Sequence, residues 1–287
     1  VSDEIPTTAQ SASTAGMPIL RVEEAGSGPP LILVHGSWDD RHVWELVVDS
    51  LTPHFHVVTY DRRGHTDSHD GPTPGTRHDD EDDLAGLIND LDLTPANVVG
   101  NSFGASIALG LAARRPELFN SLCVHEPPLL TLAADQPAVA EVSAALHSVC
   151  QLIEGDNTGA AARDFVENVA LGPGAWKAMP AQERASMITN APTFAGEQRD
   201  PGWADIDLAA LRALDLPVLL TQGDQSPPFF STVVTRLATT IHTAQVETLP
   251  GAGHVPQATH PAEYATLVHR FAASVIAGQL RASTSER

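Results

Sequence analysis

Short apolar runs alternate with amphipathic stretches along most of the chain. Runs of four or five residues at Ile19–Val22, Leu31–Val34, His56–Tyr60, Asn97–Gly100, Ser121–His125, Val218–Gln222 and Gln245–Leu249 predict strands. The first two are joined by the turn Gly26-Ser27-Gly28-Pro29. Apolar positions spaced by three and four predict helices between the strands, at about 40–52, 79–92, 103–115, 229–240 and 261–278. Strand and helix in alternation predict an α/β fold, a mainly parallel sheet with helices on both faces.

The alternation stops between Leu129 and Leu211, where about eighty residues read as helices and loops. This insertion carries Phe165, Trp176, Met179, Met187, Phe194 and Trp203. Lying between two strands, it belongs above the carboxyl end of the sheet, where ligands bind. A helical lid with an apolar underside is the functional reading; packing of the lid helices on one another is the structural one. Residues 1–16 and 281–287 lack periodicity and read as mobile tails. The expected organisation is a core of 17–128 and 212–280, with residues 129–211 as the cap.

Composition narrows the function. The 287 residues are 42% hydrophobic and 18% charged, as a folded globular chain is. Acidic residues outnumber basic ones 36 to 16, a net charge of −20 that repels phosphate backbones and anionic lipid. Neither nucleic acid nor membrane is an expected partner. No apolar run reaches the length of a membrane span and the first residues lack a signal-peptide pattern, so a cytoplasmic location is expected. Cys123 and Cys150 sit in apolar sequence and read as buried thiols. A homodimer is left open.

The chemistry concentrates at three places. Gly100-Asn101-Ser102-Phe103-Gly104 closes one strand and opens one helix, the setting of a nucleophile elbow. Ser102 is the candidate nucleophile, and the Phe103 N–H, at the positive end of a helix, is a candidate oxyanion donor. The loop His35-Gly36-Ser37-Trp38 follows an earlier strand and offers the Ser37 N–H as second donor, with Trp38 or His35 lining the pocket; His35 equally reads as a loop brace. Among thirteen histidines, His254 is favoured as general base, because Pro250-Gly251-Ala252-Gly253-His254 forms a glycine-rich loop after the last strand. His69, His78 and His260 read as surface residues. The acidic run Asp79-Asp80-Glu81-Asp82-Asp83 reads as a solvated helix start, not a metal site. Arg62 and Arg63 read as loop ties beside Asp61. No glycine-rich nucleotide motif appears, so no cofactor and no metal is expected.

In this order, the elbow, the His-Gly-Ser-Trp loop and the late Gly-x-Gly-His resemble the α/β-hydrolase superfamily over nearly the whole chain. Tyr60–Ser68 resembles the segment after that family's fourth strand. The resemblance implies an eight-stranded, mostly parallel sheet and a helical cap inserted after the sixth strand. It also implies an acid to orient the histidine, which most of the superfamily carries after the seventh strand, three residues beyond a glycine. Here that place is Ser226, and Asp224 stands one residue after Gly223. Glu126, ending the sixth strand in Cys123-Val124-His125-Glu126-Pro127-Pro128, is the other candidate, held extended by Pro127. The segment is similar to that of a subgroup that includes the fungal zearalenone lactonase, whose acid is a glutamate there, and Glu126 is preferred on that ground. Ala175–Met179 and Ala191–Phe194 resemble lid stretches of the same subgroup, with Phe194 where the lactonase has a tryptophan. Trp38, Trp176 and Phe194 are thus the expected substrate contacts. The implied activity is cofactor-independent hydrolysis of an ester or lactone of a small apolar molecule by Ser102, His254 and Glu126. A perhydrolase or carbon–carbon bond hydrolase on the same residues, and a small-molecule receptor with little turnover, are the alternatives.

Overall fold

The computed structural model describes residues 8–12, 20–68 and 75–285. Eight strands form one sheet: β1 (Thr8–Ala12), β2 (Leu20–Gly26), β3 (Pro30–Val34), β4 (His56–Tyr60), β5 (Ala96–Asn101), β6 (Phe119–His125), β7 (Val218–Gly223) and β8 (Ala244–Leu249). Their order is β1-β2-β4-β3-β5-β6-β7-β8. From β4 to β8 every pairing is parallel, and β1 and β2 are antiparallel. Although a tight turn joins β2 to β3, β2 pairs with β4, so the expected neighbours are separated by one strand.

Two expected tails are corrected. Thr8–Ala12 is a strand, because its backbone adds to the open edge of β2 from Leu20 to Glu24. Residues 1–7 and 13–16 of that expected tail lie outside the described residues. At the other end the last helix continues to Ser285, and only 286–287 lie outside them.

Strand periodicity splits the core. In β3, Leu31 and Leu33 face one side, where they pack with Trp44, with Val47 and Leu51 of α1 (Glu45–Leu51) and with Tyr264, Val268 and Phe271 of the last helix. Ile32 and Val34 face the other, against α2 (Arg77–Asp90) and α3 (Phe103–Arg114). Each such side chain taken from water contributes about 1.5–3 kcal/mol. Between β6 and β7 the chain forms the helical cap: α4 (Pro137–Glu154), α5 (Thr158–Phe165) with a π-helical turn at Val166–Ala170, α6 (Ala175–Ala178), α7 (Ala181–Arg199) and α8 (Leu208–Arg212). Then α9 (Pro228–Thr240), α10 (Pro256–Thr259) and α11 (Pro261–Ser285) complete the core.

The α7 helix fastens the cap. Asn190, Thr193 and Glu197, at i, i+3 and i+7, share one face and are all buried. Asn190 accepts from the Thr66 N–H at 2.8 Å and donates to the Asp39 carbonyl at 2.9 Å. Thr193 lies 3.0 Å from the His65 ring nitrogen, and Glu197 reaches Ser37 and Arg62.

The tightest backbone approach lies where β5 meets α3. A methyl group on Gly100 would stand 2.6 Å from the Gly104 carbonyl and 2.7 Å from Ala105, and one on Gly104 would collide with the Val34 and His35 carbonyls. Gly100→Ala is expected to lower unfolding stability by about 1–3 kcal/mol, measured by urea denaturation.

Candidate active site

Ser102 stands between the end of β5 and the start of α3, with φ 54° and ψ −124°. That conformation costs on the order of 1–3 kcal/mol in a residue with a side chain. Its backbone is pinned on both sides: the Ser102 N–H donates to the His125 carbonyl at 2.9 Å, and its carbonyl accepts from Ala105 at 2.9 Å. The Phe103 N–H belongs to the first turn of α3, whose amides have no acceptor inside the helix.

His254 follows β8 and lies 2.9 Å from Ser102 Oγ through Nε2 and 2.8 Å from Glu126 Oε2 through Nδ1. An ionised carboxylate only accepts, so Nδ1 carries the proton and Nε2 accepts from the serine hydroxyl. The loop bearing His254 is anchored by the Asn101 amide, which donates to the His254 carbonyl at 2.9 Å and accepts from Gln257 at 3.1 Å. The Phe230 ring stacks on the imidazole at 4.5 Å.

Glu126 is fully buried at the end of β6. Its other oxygen accepts from the Gly223 N–H at 2.8 Å. Burial opposes its ionisation, yet the hydrogen bond from His254 and the adjacent imidazoles hold its carboxyl below the usual carboxylate range. Its backbone corrects the extended conformation expected from Pro127: φ is 47°, in the left-handed region. The bonds its carboxylate makes to β7 and to His254 outweigh the local preference. Asp224 lies elsewhere, exposed, accepting from the Gly251 N–H at 2.8 Å. His125, beside this cluster, is pushed down to about 4 by burial.

A second buried cluster lies under Ser37. Arg62 donates to both oxygens of Asp80 at 3.1 and 3.0 Å, to Glu197 at 2.7 Å and to the Gly36 carbonyl at 3.1 Å. Glu197 also accepts from the Ser37 hydroxyl at 2.5 Å. The Arg62 N–H donates to His35 Nε2, so His35 donates in turn to the Gly36 carbonyl. Burial and the Arg62 charge push His35 down to about 3, so it braces this loop as a neutral ring. The acidic run at the start of α2 is corrected from a solvated helix end: Asp80, Glu81 and Asp83 are buried, facing Arg62, Arg77 with Arg114, and Arg63. The helix start lies against the core, and four arginines from three chain segments neutralise it.

A pocket opens over Ser102 and His254. Pro128, Leu130, Val142, Leu146, Phe165, Val169, Ala170, Phe194, Trp203, Phe229 and Phe230 give it apolar walls. Phe194 lines it as expected, but Trp38 and Trp176 do not. Trp38 is buried behind the wall, with Phe165 at 4.9 Å and Phe194 at 4.8 Å. Trp176 packs on the cap's own core, its ring 5.9 Å from the Arg184 guanidinium. Phe229 and Phe230 lie in the first turn of α9, the helix after β7, and a place beyond a strand's carboxyl end is the signal that could have found them. Among the described residues no cluster of three or more His, Cys, Asp or Glu is spaced to hold a metal ion. No described helix is long and apolar enough to cross a membrane. Chemically, the cluster offers a hydroxyl with a proton acceptor, a carboxylate to balance imidazolium, and free amides beside them.

Arg62→Met is expected to lower unfolding free energy by about 3–5 kcal/mol in chemical denaturation, because Asp80 and Glu197 then stay buried without their cation. A second expectation concerns Asp39, whose carboxyl is pushed up to about 7 by burial and by the facing Asp40 and Glu183. Between its ordinary 3.8 and about 7 the folded chain binds a proton that the unfolded chain has released, so this residue's contribution falls as pH rises through that window. Asp39→Asn removes that slope, and its Tm relative to wild type is expected to climb from about pH 5 to about pH 8.

Comparison with known proteins agrees with this architecture. The sequence profile of the alpha/beta hydrolase family matches residues 31–267. An uncharacterized hydrolase, YraK, of Bacillus subtilis (strain 168) is 41% identical over 112 residues, which make up 37% of this chain and 40% of YraK. A zearalenone hydrolase of Bionectria ochroleuca is 27% identical over 254 residues, 86% of this chain and 90% of its own. A thermophilic esterase from Thermogutta terrifontis shares the fold, with a TM-score of 0.74 at 24% identity over 94% of this chain and 99% of the esterase. By the extent of the profile match and the sheet that carries it, the chain belongs to the alpha/beta hydrolase family.

Proposed function

We propose that the chain is a serine hydrolase that cleaves a carboxylic ester or lactone of a small, mainly apolar molecule through an acyl-enzyme. The observation that carries this reading is the run of contacts from Ser102 through His254 to Glu126 at the floor of an apolar pocket. Ser102 Oγ attacks the carbonyl carbon while His254 Nε2 takes its proton, and Glu126 stabilises the imidazolium through Nδ1. The Phe103 and Ser37 N–H groups receive the oxyanion. His254 then returns the proton to the leaving alkoxide, and a water, deprotonated by the same ring, releases the acid and restores the serine. Each of these steps uses a side chain or amide of this chain, without a cofactor. The cap is the lid: its apolar underside covers the bound molecule and keeps bulk water from the acyl-enzyme. The likeness to a zearalenone hydrolase supports including lactones, and the apolar lining of the pocket supports a small, mainly apolar molecule.

Steady-state hydrolysis of p-nitrophenyl esters of increasing chain length, beside an aromatic macrolactone, tests the reading. Ser102→Ala is expected to lower kcat by on the order of 10⁶ without changing the fold. Glu126→Gln should lower it by on the order of 10⁴, since the neutral amide no longer fixes the imidazole tautomer. Asp224→Asn should leave kcat/KM within about threefold of wild type. Collapse in Asp224→Asn with full activity in Glu126→Gln would overturn the assignment of the acid.

A further inference from the structure

Besides the amphipathic Trp203, four residues lining the pocket are polar: Ser37, Ser102, His254 and Gln198. Three of the four have their hydrogen bonds inside the protein. Ser102 and His254 face one another, and the Ser37 hydroxyl is held by Glu197. Gln198 differs. Its side-chain amide makes no hydrogen bond to any described residue, although the residue is partly buried. It lies on α7 four residues after Phe194, so the two share a face, and that face lines the pocket. Asn190, Thr193 and Glu197 occupy the adjacent face and fasten the cap, which fixes the rotation of α7 and keeps Gln198 directed at the pocket.

Resting on the ester or lactone reading above, we propose that Gln198 is a specificity-determining residue that receives a neutral oxygen of the substrate, a carbonyl or a hydroxyl other than the one being attacked. An apolar ligand filling this pocket strips water from the amide and leaves it unpaired, which costs binding; a ligand with a matching oxygen replaces that water. The group is neutral because no lining residue carries a cation, and the nearby Arg62 already answers Asp80 and Glu197. A carboxylate at the same place would be buried without a counter-charge. The substrate class is therefore a neutral ester or lactone with one further hydrogen-bonding oxygen.

Binding to the Ser102→Ala protein, followed by ligand-observed NMR titration, tests this without requiring turnover. The probes are methyl 5-methylhexanoate, methyl 5-oxohexanoate, methyl 5-hydroxyhexanoate and the anionic monomethyl adipate. The oxo or the hydroxy ester is expected to bind about two- to tenfold more tightly than the methyl-branched one, the worth of one neutral hydrogen bond, and the adipate more weakly than all three. Adding Gln198→Leu should erase that preference. Adding Gln198→Glu should retain it for the hydroxy ester and abolish it for the oxo ester, because a carboxylate accepts but does not donate. Equal binding of the three neutral esters, or a preference that survives Gln198→Leu at unchanged Tm, would overturn the proposal. Tighter binding of the adipate would overturn it too. Loss of ester turnover in the intact protein would instead count against the hydrolase reading, and the titration separates the two.

Discussion

The buried guanidinium of Arg62 is the constraint around which this molecule is organised. A charge that never leaves its side chain is fully enclosed, so every acceptor around it must be held in place. Those acceptors come from three separate parts of the fold: Asp80 from α2, the Gly36 carbonyl from the loop after β3, and Glu197 from the cap. The Phe103 ring, at the start of α3, lies 4.8 Å from the guanidinium. None of these groups can drift without leaving a charge or a carbonyl unanswered in an environment of low polarity. The course of the loop through Gly36 and the seating of the cap through Glu197 thus answer one electrostatic requirement.

Strain gathers at the carboxyl ends of the strands. Trp38, Ser102 and Glu126 all take positive φ, at 70°, 54° and 47°, in residues that have side chains to crowd. The surrounding contacts over-determine them. Trp38 packs against both Phe165 and Phe194, Ser102 is pinned from β6 and from α3, and Glu126 is bonded to β7 and to the loop after β8. A close-packed sheet and helices supply rigidity, and loops at one edge convert it into fixed positions for a few polar atoms.

Sequence made the sheet, the elbow and the cap legible because each rests on local rules. Gly100 and Gly104 announce close backbone approach, and the strand runs announce burial on both faces. Contacts between distant residues were not legible. Arg62 and Glu197 are 135 positions apart, and nothing in either neighbourhood marks the other. The acidic run of α2 obeys the local rule for a helix start, while its actual partners come from elsewhere in the chain. Trp38 and Trp176 mislead for a similar reason: an aromatic residue near a site is as useful behind the wall as on it, and only packing decides. Glu126 is preferred to Asp224 through a resemblance and not through spacing, since a reach through space fixes the contact with His254 and spacing along the chain does not.

The carboxylate of Glu126 approaches His254 from the end of β6, while Ser226 stands three residues beyond Gly223, the last residue of β7. Two neighbouring strand ends are in this sense interchangeable supports for one negative charge, because parallel strands deliver their last residues to the same side of the sheet. With the carboxylate carried on β6, the end of β7 meets it through the Gly223 N–H and not through a charge of its own. The chain that follows β7 supplies Phe229 and Phe230 to the pocket wall, so part of the surface above Ser102 and His254 comes from outside the cap.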